Sequence, residues 1–245
     1  MKAVVTLSGG LDSSTLAYAL KQQGHEIYCI SFNYGQRHVR ELDFARLTAD
    51  ALAEDWKVVQ LWKSGILDLF KESGSSLVTG NDVPEGHYAE DNMKATVVPN
   101  RNMIMTSIAI GYAISINAQI VATAVHAGDH FIYPDCRPQF FDALQEAAQL
   151  GNEGFGHPSF ALETPFINLS KNDIAARAVA LGVPIEETWS CYKGNDIHCG
   201  RCGTCVERLE ALNSDEVKNI NPDFVDPTPY ADSEFWKEAL ANASS

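Results

Sequence analysis

A mostly apolar hexapeptide, residues 2–7 (KAVVTL), runs directly into Ser8-Gly9-Gly10-Leu11-Asp12-Ser13-Ser14-Thr15. This junction limits the fold more than any other feature of the chain. An apolar run without polar alternation suits a strand buried on both faces, as in a parallel sheet covered by helices. Glycines let the backbone turn tightly and approach an anion, and the free N–H groups of a following helix point at it. The octet therefore predicts a polyphosphate site between a first strand and a first helix over 13–23. Ser8, Ser13 and Ser14 add hydroxyl donors, and Gly9, Gly10, Leu11 and Thr15 complete the loop. Asp12 either holds Mg²⁺ beside the phosphates or caps the helix. No Gly-Lys-Ser/Thr follows, which excludes an ordinary P-loop, and GxGxxG is absent, which disfavours a dinucleotide enzyme.

The same rhythm continues along the chain. Strands are predicted over 26–32, 56–61 and 119–125, and helices over 37–53, 102–118 and 137–150. Ser170 and Asp173 have the spacing of a capping box opening a further helix through Leu181. The segment 102–118 is apolar nearly all round and is expected to be buried. Residues 72–98 are rich in Gly, Ser, Asn and acids, as in a lid or binding loop, or an inert excursion. These elements predict an α/β, doubly wound, mostly parallel sheet, whose ligands sit beyond the carboxyl ends of the strands.

With 245 residues, the chain is long enough for one full α/β domain plus a small appendage. Lys and Arg number 18 against 32 Asp and Glu, a net charge of −14, with no basic run longer than two. A nucleic-acid partner needs a basic face, so small-molecule chemistry is expected, with no nucleic acid and no membrane. No apolar run reaches the length of a membrane span, and the strand pattern at the N-terminus leaves no room for a signal peptide; the chain is expected to be cytoplasmic.

Cys191-x7-Cys199-x2-Cys202-x2-Cys205 places four thiols within fifteen residues. Two overlapping CxxC steps wrap one ion, and Cys191 closes the tetrahedron, as in a structural Zn²⁺ site with one ion per chain. An iron–sulfur cluster uses the same ligands, and free thiols are the third reading. His198 is a spare ligand that four sulfurs make unnecessary. Cys29 lies in a strand pattern and is expected in the core. Residues 1–185 then form the nucleotide-binding domain, and 186–245 a zinc knot and helical tail packed on the same domain.

The octet resembles the signature of the PP-loop, or N-type, ATP pyrophosphatases, with their adenine nucleotide alpha hydrolase-like fold. Members grip the terminal pyrophosphate of ATP while an oxygen attacks the α-phosphorus. Further strings narrow the resemblance: Phe32-Asn33-Tyr34-Gly35-Gln36-Arg37-His38, Val98-Pro99-Asn100-Arg101-Asn102, Tyr133-Pro134-Asp135-Cys136-Arg137 and Thr188-Trp189-Ser190-Cys191-Tyr192. Together they are similar to the 7-cyano-7-deazaguanine synthase family of queuosine-type biosynthesis, in the same order from about Lys2 to Leu212. That resemblance implies adenylation of a carboxylate on 7-deazaguanine, displacement of AMP by ammonia to give an amide, and dehydration to a nitrile, with ATP and Mg²⁺ consumed. It implies catalytic roles for Asp12, Lys171 and Arg101. Asp129 or Asp135 would accept from the base edge, Arg101 or Arg137 would meet the carboxylate, and Tyr34 would contact the substrate. A homodimer is left open. Two features depart from the family pattern: Asn100 where Gly is frequent, and His126-Ala127-Gly128-Asp129-His130 where Cys-Glu-Thr-Asp is usual. Three other readings stand beside this one: an enzyme that stops at the amide, a PP-loop iron–sulfur tRNA thiolase, and a non-catalytic nucleotide-sensing module.

Overall fold

The computed structural model describes residues 1–88 and 91–243. Its sheet has five strands in the order β3-β2-β1-β4-β5, every pairing parallel. The chain runs β1 (Lys2–Thr6), α1 (Leu11–Gln22), β2 (Glu26–Asn33), α2 (Glu41–Leu52) and β3 (Ala53–Gln60), moving outward in one direction. After α3 (Ile66–Lys71) it returns through α4 (Arg101–Ser115) to place β4 (Ile120–Ala122) on the other side of β1. The direction of winding thus reverses between β1 and β4, where such sheets bind ligands.

β1 is buried on both faces because its side chains alternate between two cores. Ala3, Val5 and Leu7 pack with Leu16, Ala17 and Ala45 on one face; Val4 packs with Ala109, Ile110 and Val121 on the other. Cys29 belongs to the first core, fully buried, as expected. α4 is less buried than its composition predicts: Thr106, Ala109, Ile110 and Ala113 face inward, while Ser107, Gly111 and Ser115 are exposed. The reason is that it covers one face of the sheet, so only its inner stripe meets a partner.

α5 (Pro138–Gly151) leads to β5 (Ala161–Glu163), an edge strand that the sequence pattern did not reveal. α6 (Lys171–Ala180) opens on the expected capping box, Ser170 and Asp173 each bonding the other's backbone N–H. α7 (Gly203–Leu212), α8 (Asp215–Ile220) and α9 (Phe235–Ala243) complete the chain. Ala175, Ala178, Ala211, Leu212 and Val217 share one core, so the C-terminal segment packs directly on α6. Among the described residues, no helix is long and apolar enough to cross a membrane.

Candidate active site

α1 begins where the sequence places its phosphate loop. Gly10 occupies the N-cap in an extended conformation, and no side chain caps the helix. The first-turn N–H groups are therefore left to the cavity in front of them. Gly9 has φ +84, and a Cβ there would run into the Glu41 carbonyl and the Ala45 amide, so the loop touches α2 with no room for a side chain. Ser13 ties the loop together: its Oγ lies 3.0 Å from Ser8 Oγ, accepts from Ser8 N–H at 3.2 Å and donates to the Gly10 carbonyl at 3.3 Å.

One cavity opens at the carboxyl ends of β1 and β4. Of the octet, Ser8, Gly10, Leu11, Asp12 and Ser13 line it. Ser14 and Thr15 face inward, Ser14 bonding Thr48 Oγ1 at 3.0 Å and Thr15 the Leu11 carbonyl at 2.6 Å. Asp12 does not cap α1. Its Oδ2 pairs with Lys171 Nζ at 2.6 Å, and its Oδ1 is buried without a hydrogen-bond partner. Lys171 also lies 3.4 Å from Glu207 on α7. A lysine in the first turn of a helix is disfavoured by the dipole unless an anion meets it, and here two do. Burial alone would raise the Asp12 carboxyl, but Lys171 and then His126 outweigh it and hold it below its ordinary value. Burial works against the Lys171 charge, and Asp12 and Glu207 more than reverse that effect. Glu207 is raised by burial, which Lys171 only partly offsets.

His126 joins this end of the cavity. Its Nδ1 accepts from Gly128 N–H at 3.2 Å, which leaves Nε2 to carry the proton, 3.6 Å from Asp129 and 3.7 Å from Asp12. Asp129 lines the cavity and accepts from the Tyr88 hydroxyl at 3.2 Å. His130 is not part of the lining; its carbonyl accepts from Arg137 Nε at 2.9 Å.

At the other end stand Arg101, Tyr34, Tyr133 and Tyr192, with Cys136 beside them. The Arg101 guanidinium lies 5.7 Å from the Tyr133 ring centre, and no carboxylate among the described residues pairs with it. Burial pushes the Tyr34 hydroxyl up to about 12, against the pull of Arg101, so the phenols here are neutral donors. Glu41 and His38 complete this chamber. Burial raises the Glu41 carboxyl to about 7, with Gln36 and Arg101 pulling it down. Burial, and then Arg101, lowers His38 to about 3, so its ring is neutral.

Two predicted substrate contacts lie elsewhere. Asp135 accepts the Asn102 amide N–H at 3.2 Å, serving the first turn of α4, and Arg137 is exposed; neither lines the cavity. Asn100, just before α4, has φ +59, in the left-handed region that Asn tolerates better than most residues with a side chain.

The four cysteines lie side by side. Cys191, Cys199, Cys202 and Cys205 are buried and free, their sulfurs all within 4.8 Å of one another. Cys199 and Cys205 sulfurs are 3.9 Å apart, close to the roughly 3.8 Å edge of a tetrahedron with 2.3 Å metal–sulfur bonds. Backbone N–H groups of Cys199, Arg201 and Cys202 point at these sulfurs, as suits thiolates. His198 is not a fifth ligand: its Nε2 accepts Ser190 N–H at 3.1 Å and its ring packs on Trp189 at 4.4 Å. The cluster borders the active cavity, since Trp189, Ser190, Tyr192, Thr204 and Glu207 all line it and Trp189 N–H bonds the Gly9 carbonyl at 2.8 Å.

Parallel sheet, uncapped glycine loop and a four-cysteine cluster able to hold a metal ion, all on one cavity, define an α/β enzyme of the nucleotide-binding class. The family model described as queuosine biosynthesis protein QueC matches residues 2–216, and the chain belongs to that family. A 7-cyano-7-deazaguanine synthase from Ruegeria sp. (strain TM1040) is 50% identical over 98% of both chains. One from Rhizobium etli (strain ATCC 51251 / DSM 11541 / JCM 21823 / NBRC 15573 / CFN 42) is 49% identical over 100% of this chain and 98% of its own. Among solved structures, an NMN synthetase from Francisella tularensis overlays with a TM-score of 0.48 at 15% identity, covering 99% of this chain and 86% of that one.

Proposed function

We propose that this chain converts 7-carboxy-7-deazaguanine and ammonia into 7-cyano-7-deazaguanine, cleaving two ATP to AMP and pyrophosphate for each nitrile. The observation that carries this reading is one cavity with two ends: an uncapped phosphate loop beside Asp12 and Lys171, and an Arg101 among tyrosines with which no carboxylate of the described residues forms an ion pair. A substrate carboxylate oxygen attacks the α-phosphorus of ATP, and the bond to pyrophosphate breaks. Ammonia adds its lone pair to the activated carbonyl carbon, a proton is lost, and AMP leaves with the former carboxylate oxygen, giving the amide. The amide oxygen repeats the attack on a second ATP. Departure of the second AMP with loss of two protons from nitrogen leaves the triple bond. Both halves use one oxygen-to-phosphorus attack, so one prepaid geometry serves both.

Ser8, Gly9, Gly10, Leu11 and Ser13 hold the terminal phosphates in this scheme, with Ser14 and Thr15 fixing the loop from behind. Asp12 Oδ1, buried and unpartnered, is an acceptor suited to the Mg²⁺ that accompanies ATP. Lys171 offsets charge developing on the phosphates. Arg101 takes the substrate carboxylate, and Tyr34 forms a wall against the ring. The four thiolates suit one Zn²⁺ per chain, with no open coordination position, so the ion contributes folding energy rather than chemistry. Residues 186–245 are then a zinc-stapled wall of the 1–185 domain. Reduced, clustered thiols and a charge of −14 support a cytoplasmic enzyme of small molecules.

The experiment is incubation with 7-carboxy-7-deazaguanine, ATP, Mg²⁺ and ammonium, followed by product mass. The nitrile is expected; accumulation of the amide alone would reassign the enzyme as an amide synthase, and no turnover would reject the reading.

A further inference from the structure

The aromatic end of the cavity contains an acid for which the reaction above has no use. Glu41 opens α2, lines the cavity, and keeps 14% of its side chain exposed. The Gln36 amide ties this carboxylate to the backbone at the end of β2. Its Oε1 accepts Tyr34 N–H at 2.9 Å, and its Nε2 donates to the Phe32 carbonyl at 3.0 Å and to Glu41 Oε1 at 2.9 Å. Glu41 Oε2 lies 3.5 Å from His38 Nε2. His38 is itself buried, stacked 4.9 Å from Tyr192, and its Nδ1 has no partner. A rigid carboxylate and an unused ring acceptor thus border the chamber that also holds Arg101.

We propose that Glu41, fixed by Gln36 and flanked by His38, reads the donor edge of the bound deazapurine, its ring N1–H and its 2-amino group. The proposal rests on the deazaguanine reading and names the residue that sets its base specificity. A guanine-type edge offers two adjacent donors, which match the two oxygens of one carboxylate. An adenine edge offers one donor beside an acceptor, and adenine has no carboxylate for the neighbouring Arg101. A ligand with donors at one end and an anion at the other satisfies both groups at once. Of the two acids that the sequence offered for this role, Asp135 lies outside the cavity, and Asp129 is engaged by Tyr88 and faces His126 beside Asp12 at the phosphate end.

The test measures dissociation constants by calorimetry on the zinc-loaded full chain. The ligands are 7-carboxy-7-deazaguanine, its analogue lacking the 2-amino group, and ATP; the proteins are wild type and Glu41→Gln. At pH 8, above the raised value of the Glu41 carboxyl, a hydrogen bond to a charged acceptor predicts that wild type binds the deaminated analogue about 10- to 100-fold more weakly. Glu41→Gln weakens the guanine-type ligand by a similar factor, shrinks the discrimination to about threefold or less, and leaves ATP affinity unchanged. Wild type that ignores the 2-amino group overturns the proposal, and this arm needs no variant to fold. A variant that keeps full discrimination, or that loses ATP affinity instead, also overturns it, the latter by assigning the chamber to adenine. Deazapurine binding and AMP formation without amino-group discrimination defeat this inference alone. No binding and no AMP defeat the functional reading with it.

Discussion

Replacing Lys171 by methionine keeps the length of the side chain and removes the charge between Asp12 and Glu207. In wild type the ammonium sits 2.6 Å from Asp12 and 3.4 Å from Glu207, with only 14% of the lysine side chain exposed. Breaking a buried pair from one side costs about 3–5 kcal/mol, and the 23% exposure of Asp12 argues for the lower end, about 3 kcal/mol at pH 8. The cost has a sign in pH. The Asp12 carboxyl is depressed in wild type, so its contribution is present above its unfolded pKa and is lost as pH falls through the folded value. Without Lys171, burial dominates and both acids rise, so the variant loses stability as pH increases. Urea unfolding at pH 5 and pH 8 should therefore show a deficit that is large at pH 8 and reduced by more than half at pH 5. Turnover at pH 8 should fall about 100-fold or more, as when a charge-stabilising group is removed from an active site. A stability deficit independent of pH, or a variant with near-normal turnover, would refute the placement of Lys171 as the counter-charge of this cluster.

Glu41 supplies a prediction of opposite sign. Its carboxyl is raised to about 7 by burial, with Gln36, His38 and Arg101 around it, so its contribution to stability is full below the unfolded pKa and lost as pH rises through 7. Glu41→Gln should gain about 2 kcal/mol on wild type between pH 5 and pH 8 in the same unfolding assay; a constant difference would reject the burial argument. Cys202→Ser should release metal and lower the melting temperature, with about one zinc per wild-type chain by elemental analysis; a metal-free wild type or an equally stable variant would reject the knot. Arg208 is fully buried and donates to Thr188, Ser190, Thr228, Tyr230 and the Ile185 carbonyl, so Arg208→Met should cost about 3 kcal/mol by leaving these acceptors unpaired; a loss under about 1 kcal/mol would contradict that reading.

What the sequence made legible was local. The strand–loop–helix junction at Ser8–Thr15 carries its own geometry, since glycines, hydroxyls and helix start are contiguous. The thiolate cluster is likewise coded within fifteen residues. β5 was not legible: Ala161–Glu163 has three half-buried residues, too short for a period, and becomes a strand only by pairing with β4. Asp135 and Arg137 share a string with cavity residues Tyr133 and Cys136, yet the turn between them aims Asp135 at the α4 amide instead. Glu207 lies on a helix whose sequence gives no sign that it will meet Lys171, and the Lys171–Asp12 pair spans 159 positions. His126 stood out as a departure from the family pattern, with Asp129 three residues on, but its approach to Asp12 becomes apparent only once β1 and β4 lie side by side. Gln36 lies within the Phe32–His38 string, while Glu41 had only its position three residues beyond it.

The central claim is that one cavity activates the same oxygen-bearing carbon twice, and nucleotide stoichiometry tests it most directly. Nucleotide products and nitrile should be quantified together from 7-carboxy-7-deazaguanine, and again from the synthetic amide. The account predicts about two AMP per nitrile from the acid and about one from the amide, with pyrophosphate equal to AMP. ADP as the main nucleotide product, or an amide that the enzyme leaves unconverted while still making nitrile from the acid, would contradict it.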